Sequence, residues 1–187
     1  MTAAEFLRRA VTLIEQAGLD YMITRSFASS YYGESRTTRD LDLVVELTAT
    51  GIEQLVSLAD QREWYVHRAE LPHALTHERM ANLIDLESGW KIDVVALKAR
   101  PFSQAEFERR RRVQLLGRDV FIASAEDTIL AKLEWSTRGG WQRQIADARA
   151  IVRVQADRLD VDHLRSWAPP LGVTDLLADV LNPFAAG

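Results

Sequence analysis

The 187-residue chain contains no cysteine, which excludes disulfide bonds and thiolate metal sites and predicts a reducing, cytoplasmic environment. It also has no window of about 20 uninterrupted apolar residues, so no segment is predicted to span a membrane. The chain also has no excess of positive charge, since its 23 Lys and Arg residues and 27 Asp and Glu residues give a net charge of −4. That balance excludes a generally basic coat of the kind that binds nucleic acid.

The remaining composition, with 47% hydrophobic and 27% charged residues, is that of an ordinary globular protein. The hydrophobic pattern predicts an α/β (α+β) fold with a mixed core over residues 1–123 and a helical region over residues 124–187 packed on that core. Thr2 and Glu5 have capping-box spacing and predict the start of the first helix, which Gly18 would end. Ser103 and Glu106 have the same spacing and predict a helix that ends in the run Arg109–Arg112.

Two aspartates mark the strand Leu41–Val45. Asp40 and Asp42 are separated by one residue, so their side chains leave the strand on the same face, about 7 Å apart along the chain. Asp93 lies in a second apolar strand, where a lone carboxylate is costly to bury. If the two strands are neighbours, the three carboxylates converge and can hold two Mg²⁺ ions for phosphoryl or nucleotidyl transfer. On spacing alone, a solvated strand edge is the more common explanation of such a pair, and Asp93 in its apolar strand favours the metal site.

An ordered set of residues around this pair resembles the signature of nucleotidyltransferase-fold proteins of the minimal, DNA-polymerase-β-like type. That signature is written G-S-x-A followed by Y-G-E-x-R-x-T-x-D-[IL]-D. The matching residues are Ser26, Ala28, Tyr32, Gly33, Glu34, Arg36, Thr38, Asp40, Leu41 and Asp42. Asp93 stands where that superfamily carries its third carboxylate. The resemblance implies a nucleotidyltransferase-like mixed β-sheet flanked by helices, with a C-terminal helical portion.

The resemblance also implies catalytic roles. Asp40 and Asp42 would bind Mg²⁺, and Asp93 would bind the catalytic ion and help deprotonate the acceptor hydroxyl. Ser26, which is predicted to cap a short helix through Tyr32, would hold a terminal phosphate at that helix N-terminus, where the helix dipole also favours an anion. Arg36 matches the family pattern and would act at the site, although it could also neutralise the carboxylates as an ion pair.

The helical region has a second, shorter resemblance, to the AbiEii/AbiGii toxin-type branch of this superfamily. That branch carries a lysine on one helix and an aspartate on the next, matched here by Lys132 and Asp147. Lys132 would contact phosphate, and Asp147 would orient the phosphate or the incoming acceptor.

One residue departs from the family pattern. Arg25 stands where the family has glycine, which lets the backbone approach the phosphates and adopt a positive φ. Its guanidinium could pair with phosphate, even bidentately. Its bulk could instead fill the nucleotide pocket, and then the site would have lost catalysis.

These features predict a Mg²⁺-dependent enzyme that moves NMP from an NTP to a hydroxyl of an RNA end, a protein or a small molecule. The resemblance further implies a toxin–antitoxin or defence role with a cognate antitoxin as partner. The alternative is a catalytically inactive member that binds a nucleotide or a protein. Seven basic and two acidic side chains between Lys98 and Arg118 either steer nucleic-acid phosphates or are simply solvated at a helix end.

Overall fold

The computed structural model describes residues 1–34, 38–59, 63–67, 69, 71–77, 80–138 and 141–182. Its helices are α1 (Ala3–Gln16), α2 (Arg25–Tyr32), α3 (Ala49–Leu58), α4 (Leu71–Thr76), α5 (Pro101–Glu108), α6 (Ala125–Ser136), α7 (Trp141–Gln155), α8 (Val161–Leu171) and α9 (Thr174–Leu181). Its strands are β1 (Asp20–Ile23), β2 (Asp40–Glu46), β3 (Trp64–Tyr65), β4 (Met80–Asp85), β5 (Lys91–Ala96), β6 (Arg111–Leu115) and β7 (Arg118–Ile122). The predicted α/β class, with a mixed sheet and C-terminal helices, is therefore confirmed.

These elements divide between two compact units. The first contains the described residues of 1–26 and 38–122, and the second contains those of 27–34 and 123–182. None of the helices in the described part of the chain has both the length and the apolar character needed to cross a bilayer.

All seven described strands form one sheet in the first unit, in the order β3-β4-β5-β2-β1-β7-β6. The pairs β2–β5 and β1–β7 are parallel and the other pairs are antiparallel. On β2 and β5 the apolar alternation fills one face of the sheet with fully buried side chains: Leu41, Leu43, Val45, Ile92 and Val94. The other face carries the polar residues of the same strands together with the half-buried Val44 and Val95.

Helix α1 begins at the predicted capping box. The Thr2 hydroxyl accepts a hydrogen bond from Glu5 N at 3.2 Å, and Thr2 N donates one to Glu5 Oε2 at 2.6 Å. Gly18 follows the helix with a φ of 68°, a left-handed conformation that glycine adopts without strain. The helix buries Phe6, whose ring lies 5.2 Å from that of Trp90 and 6.3 Å from that of Trp64.

Helix α5 corrects the prediction made from Ser103. It begins at Pro101, because proline fits the first helical position, and Arg100 precedes it as the cap residue. Ser103 instead accepts a hydrogen bond from Arg100 Nε at 2.8 Å. The helix also ends at Glu108, so the arginine run does not lie on it: Arg111 and Arg112 begin β6.

The second unit is helical. The Ser124 hydroxyl caps α6 by accepting from Asp127 N at 3.1 Å, and it donates to Asp127 Oδ2 at 2.7 Å. The other oxygen of Asp127 lies 2.7 Å from His163 Nε2, which joins α6 to α8. At the end of α2, Tyr32 O accepts a hydrogen bond from Gln155 Nε2 of α7 at 2.7 Å.

Candidate active site

The register of two parallel strands brings the carboxylates together. In the β2–β5 pair, Asp42 lies opposite Asp93, and Asp40 lies opposite Lys91. Side chains two residues apart on a strand share a face, and paired residues on neighbouring strands share one as well, so all four side chains lie on one face. We call these residues the carboxylate face.

Two of the three carboxylates are removed from solvent. Asp42 is 5% exposed and Asp93 is 4% exposed, whereas Asp40 is exposed at the start of β2. Neighbouring strands lie about 4.8 Å apart. The burial of two acids on such strands is costly in free energy unless positive charge compensates them.

Two basic side chains supply that positive charge. Arg25 Nη1 lies 3.1 Å from Asp42 Oδ1. Lys91 Nζ lies 3.1 Å from Asp93 Oδ2 and 3.8 Å from Asp40 Oδ1. Sequence reasoning assigned no role to Lys91. The sequence could have indicated such a role, because Lys91 precedes Asp93 by two residues on a strand and so shares its face.

Two groups of the carboxylate face, Asp42 and Lys91, have a raised pKa. Burial raises the pKa of Asp42 to about 6, with the charges of Asp93 and Asp40 adding to the effect and Arg25 opposing it. Burial alone would lower the pKa of Lys91, but the hydrogen bond to Asp93 and the three carboxylate charges outweigh it and raise that pKa. The pKa values of Asp42 and Lys91 therefore depend on the charged side chains beside them.

Arg25 has a backbone conformation that is unusual for any residue other than glycine. It is the first residue of α2 and has a φ of 52°, in the left-handed region. Just before it, Thr24 N donates to Asp42 O at 3.0 Å, which continues the contact of β1 with β2. The glycine-like backbone is thus retained although an arginine occupies the position. Ser26 follows as the second residue of α2, inside the helix rather than at its cap.

The donor set of the carboxylate face suits a hard divalent cation. Carboxylate oxygens are the ligands that Mg²⁺ prefers. Asp93 Oδ1 is buried and has no hydrogen-bond partner among the described residues, so one oxygen is left for a ligand. Within the same part of the chain, no three His, Asp or Glu side chains are close enough to hold a metal ion as they stand.

The other predicted phosphate-binding residues lie outside this face or outside the described residues. Lys132 of α6 and Asp147 of α7 are brought together in the second unit, with Lys132 Nζ 2.6 Å from Asp147 Oδ2. Arg36 is one of the residues that the structure does not describe. Gly33 has a packing role, because a Cβ there would lie 3.0 Å from Ser29 O and 3.2 Å from Ile151 N.

The basic stretch between Lys98 and Arg118 makes several intramolecular contacts. The Arg110 guanidinium lies 4.2 Å from the ring centre of Phe107 and 3.8 Å from Asp20 Oδ1. Two further ion pairs join Arg112 to Asp119 at 2.8 Å and Arg118 to Glu15 at 2.6 Å. Much of the local positive charge is thereby compensated within the chain.

Comparison with known proteins finds similar structures. The antibiotic-resistance factor ANT(2'')-Ia superposes with a TM-score of 0.62 at 12% identity, over 89% of this chain and 91% of that one. The lincosamide antibiotic adenylyltransferase LnuA gives 0.54 at 13% identity, over 82% and 98%. An antigenic nucleotidyltransferase-like protein from Paracoccidioides brasiliensis gives 0.53 at 16% identity, over 94% and 92%. No protein-family model and no curated protein matches the sequence.

These likenesses confirm the fold that the sequence motif predicted, and they do not test the AbiEii/AbiGii branch, which stays a prediction. The sheet order and the two parallel strands with paired aspartates agree with the same conclusion. The chain has the nucleotidyltransferase fold.

Proposed function

We propose that this chain is a Mg²⁺-dependent nucleotidyltransferase that moves NMP from an NTP to a hydroxyl acceptor. The observation that carries the proposal is the register of β2 and β5, in which Asp42 lies opposite Asp93 with Asp40 on the same face. Nucleotidyl transfer assisted by metal ions requires carboxylate ligands, and three acids on one face of a nucleotidyltransferase fold would supply them.

In the proposed reaction, Asp40, Asp42 and Asp93 would hold Mg²⁺. Bound Mg²⁺ would neutralise the negative charge on the α-phosphate and on the departing pyrophosphate. Asp93 would accept the proton of the acceptor hydroxyl, since its Oδ1 receives no hydrogen bond from the described residues. The acceptor oxygen would form a bond to the α-phosphorus as the bond to the bridging oxygen breaks, and pyrophosphate would leave with its electron pair.

Several side chains would bind the phosphates. Ser26 lies in the first turn of α2, where backbone N–H groups and the helix dipole favour an anion. Arg36, Lys132 and Asp147 keep the phosphate-binding roles that the resemblance implies for them.

A small hydroxylated molecule is the acceptor that the comparisons favour. ANT(2'')-Ia has been solved in complex with adenylyl-2''-tobramycin, and LnuA has been solved with lincomycin bound. An RNA end or a protein hydroxyl, with a cognate antitoxin as partner, is the alternative that the toxin-type resemblance implies.

A labelled-nucleotide assay tests the proposal. The purified chain would be incubated with Mg²⁺, each NTP labelled at the α-phosphate, and three acceptor pools: total RNA, total protein, and a panel of aminoglycosides and lincosamides. We expect transfer that falls at least about 100-fold in Asp42→Asn and Asp93→Asn. Asp119→Asn removes an exposed acid that pairs with Arg112 and is the matched control, which should keep full activity.

A second function is favoured by one specific observation. The ion pair between Arg25 and Asp42 is compatible with an inactive member of the fold that binds a nucleotide without transferring it. Nucleotide binding by calorimetry, without label transfer to any pool, would support that function and contradict the transferase.

A further inference from the structure

Each buried acid of the carboxylate face already has a positively charged partner. Arg25 lies against Asp42, and Lys91 lies between Asp93 and Asp40. We infer that Arg25 and Lys91 are resident counter-cations of the metal site, so that a divalent ion binds by displacing them. This inference rests on the proposed function, because it concerns the residues that would hold Mg²⁺.

Asp42 and Asp93 repel each other electrostatically unless positive charge lies beside them. Asp42 and Asp93 are buried opposite each other, and both are 5% exposed or less. Two buried like charges at neighbouring strand positions repel each other and have lost most of their hydration. Folding without metal therefore needs cations at these carboxylates, and Nη1 of Arg25 and Nζ of Lys91 provide them at 3.1 Å each.

The backbone at Arg25 lies in the left-handed region. A left-handed φ of 52° is unfavourable for any residue with a Cβ, whereas glycine adopts it freely. Strain of this kind persists only where other contacts compensate it, and it concentrates at functional sites. The contact that glycine could not make here is the ion pair with Asp42.

Both basic side chains can move away from the carboxylate face. The side chain of Arg25 is 41% exposed and that of Lys91 is 36% exposed, so each lies at the rim of the face with solvent beside it. Two of the acids that they neutralise, Asp42 and Asp93, are buried within strands. A divalent ion would therefore bind carboxylates held in strands, and the Arg25 and Lys91 side chains that compete with it would move aside.

The test is the affinity of the full-length, metal-free chain for Mn²⁺ alone, measured by calorimetry without nucleotide. Arg25→Gly and Lys91→Met each remove one competing charge, so each should bind Mn²⁺ about tenfold more tightly than the wild type. The melting temperature in EDTA should fall for Lys91→Met, and saturating Mn²⁺ should raise it by more than it raises that of the wild type.

Lys98→Met is the matched control, because it removes a lysine outside the carboxylate face and should leave the Mn²⁺ affinity unchanged. If Lys91→Met does not fold, Arg25→Gly carries the test on its own. Equal or weaker Mn²⁺ binding in the folded variants would overturn the inference while leaving the proposed function standing. Mn²⁺ binding by neither the wild type nor the variants would also overturn the inference, and the label-transfer assay with NTP then decides the proposed function separately.

Discussion

Arg25 and Asp42 form an ion pair of 3.1 Å, although Arg25 holds a backbone conformation with a φ of 52°. A favourable contact and an unfavourable backbone angle are thus joined in one residue. The two effects can be separated by mutation, because alanine keeps the backbone strain and removes the charge, whereas glycine removes both.

The first prediction follows from this separation. Arg25→Gly is expected to be more stable than Arg25→Ala by about 1 kcal/mol in the free energy of unfolding, because only alanine retains a Cβ at a left-handed φ. Urea denaturation in EDTA measures the difference. Equal stability of the two variants would mean that the backbone relaxes out of the left-handed region once the guanidinium is removed.

The carboxylate face shows how much of the candidate site could be predicted from the sequence. Asp40 and Asp42 could be assigned to one face because strand alternation is a local property that the spacing alone fixes. That Asp42 lies opposite Asp93 depends on the pairing of β2 with β5, which are about 50 residues apart in the chain, and no local pattern encodes this register. The family resemblance supplied that link where periodicity could not.

Arg25 and α5 show two other limits. The missing glycine indicated an altered site, but the direction of the arginine side chain depends on tertiary contacts, and only the structure shows it against Asp42. At α5, the capping-box spacing of Ser103 misplaced the start, because proline fits the first helical position and the helix begins at Pro101. The helix itself was predicted, but its start and its end in the arginine run were wrong.

The second prediction concerns pH. Burial raises the pKa of Asp42 to about 6 in the folded chain, so folding favours its protonated form. The stability from this group is fully present below about pH 4, where Asp42 is protonated in both states, and is lost as the pH rises through about 6. Asp42→Asn cannot ionise and should avoid this loss.

Chemical denaturation of the wild type and Asp42→Asn in EDTA, between pH 4 and pH 8, measures the effect. The variant should be similar to the wild type at pH 4 and more stable by on the order of 2 kcal/mol above pH 7. Mg²⁺ at pH 7.5 should stabilise the wild type more than the variant, because it compensates the ionised carboxylate. A stability difference that does not change with pH would contradict the raised pKa.

The third prediction concerns Gly33, which matches the glycine of the family signature. A Cβ at this position would lie 3.0 Å from Ser29 O and 3.2 Å from Ile151 N, and neither backbone atom can move aside cheaply. Gly33→Ala should therefore destabilise the chain by about 1–3 kcal/mol, as measured by thermal or urea denaturation.

Gly89→Ala is a useful comparison for that experiment. Nothing lies within 4 Å of a Cβ at Gly89, but its φ of 70° is left-handed, so the substitution should cost only about 1 kcal/mol of backbone strain. If Gly33→Ala is neutral while Gly89→Ala is not, close packing is not the reason for glycine at position 33.

The fourth prediction separates two roles of Lys132. Its ammonium lies 2.6 Å from Asp147 Oδ2, and its side chain is 7% exposed. This geometry fits a buried structural ion pair, and it also fits a lysine that binds phosphate. Lys132→Met leaves the Asp147 carboxylate without this partner in a largely buried position. We expect a loss of about 3 kcal/mol in the free energy of unfolding.

Adding Asp147→Asn to Lys132→Met removes the carboxylate that Lys132 had neutralised, so the double variant should recover much of the lost stability. Binding of an NTP by the same two variants gives the second readout. If Lys132 contacts phosphate, the double variant regains stability but its NTP affinity stays low, because the missing ammonium is not restored. If the pair is only structural, NTP affinity returns together with stability, and the phosphate-binding role assigned to Lys132 is wrong.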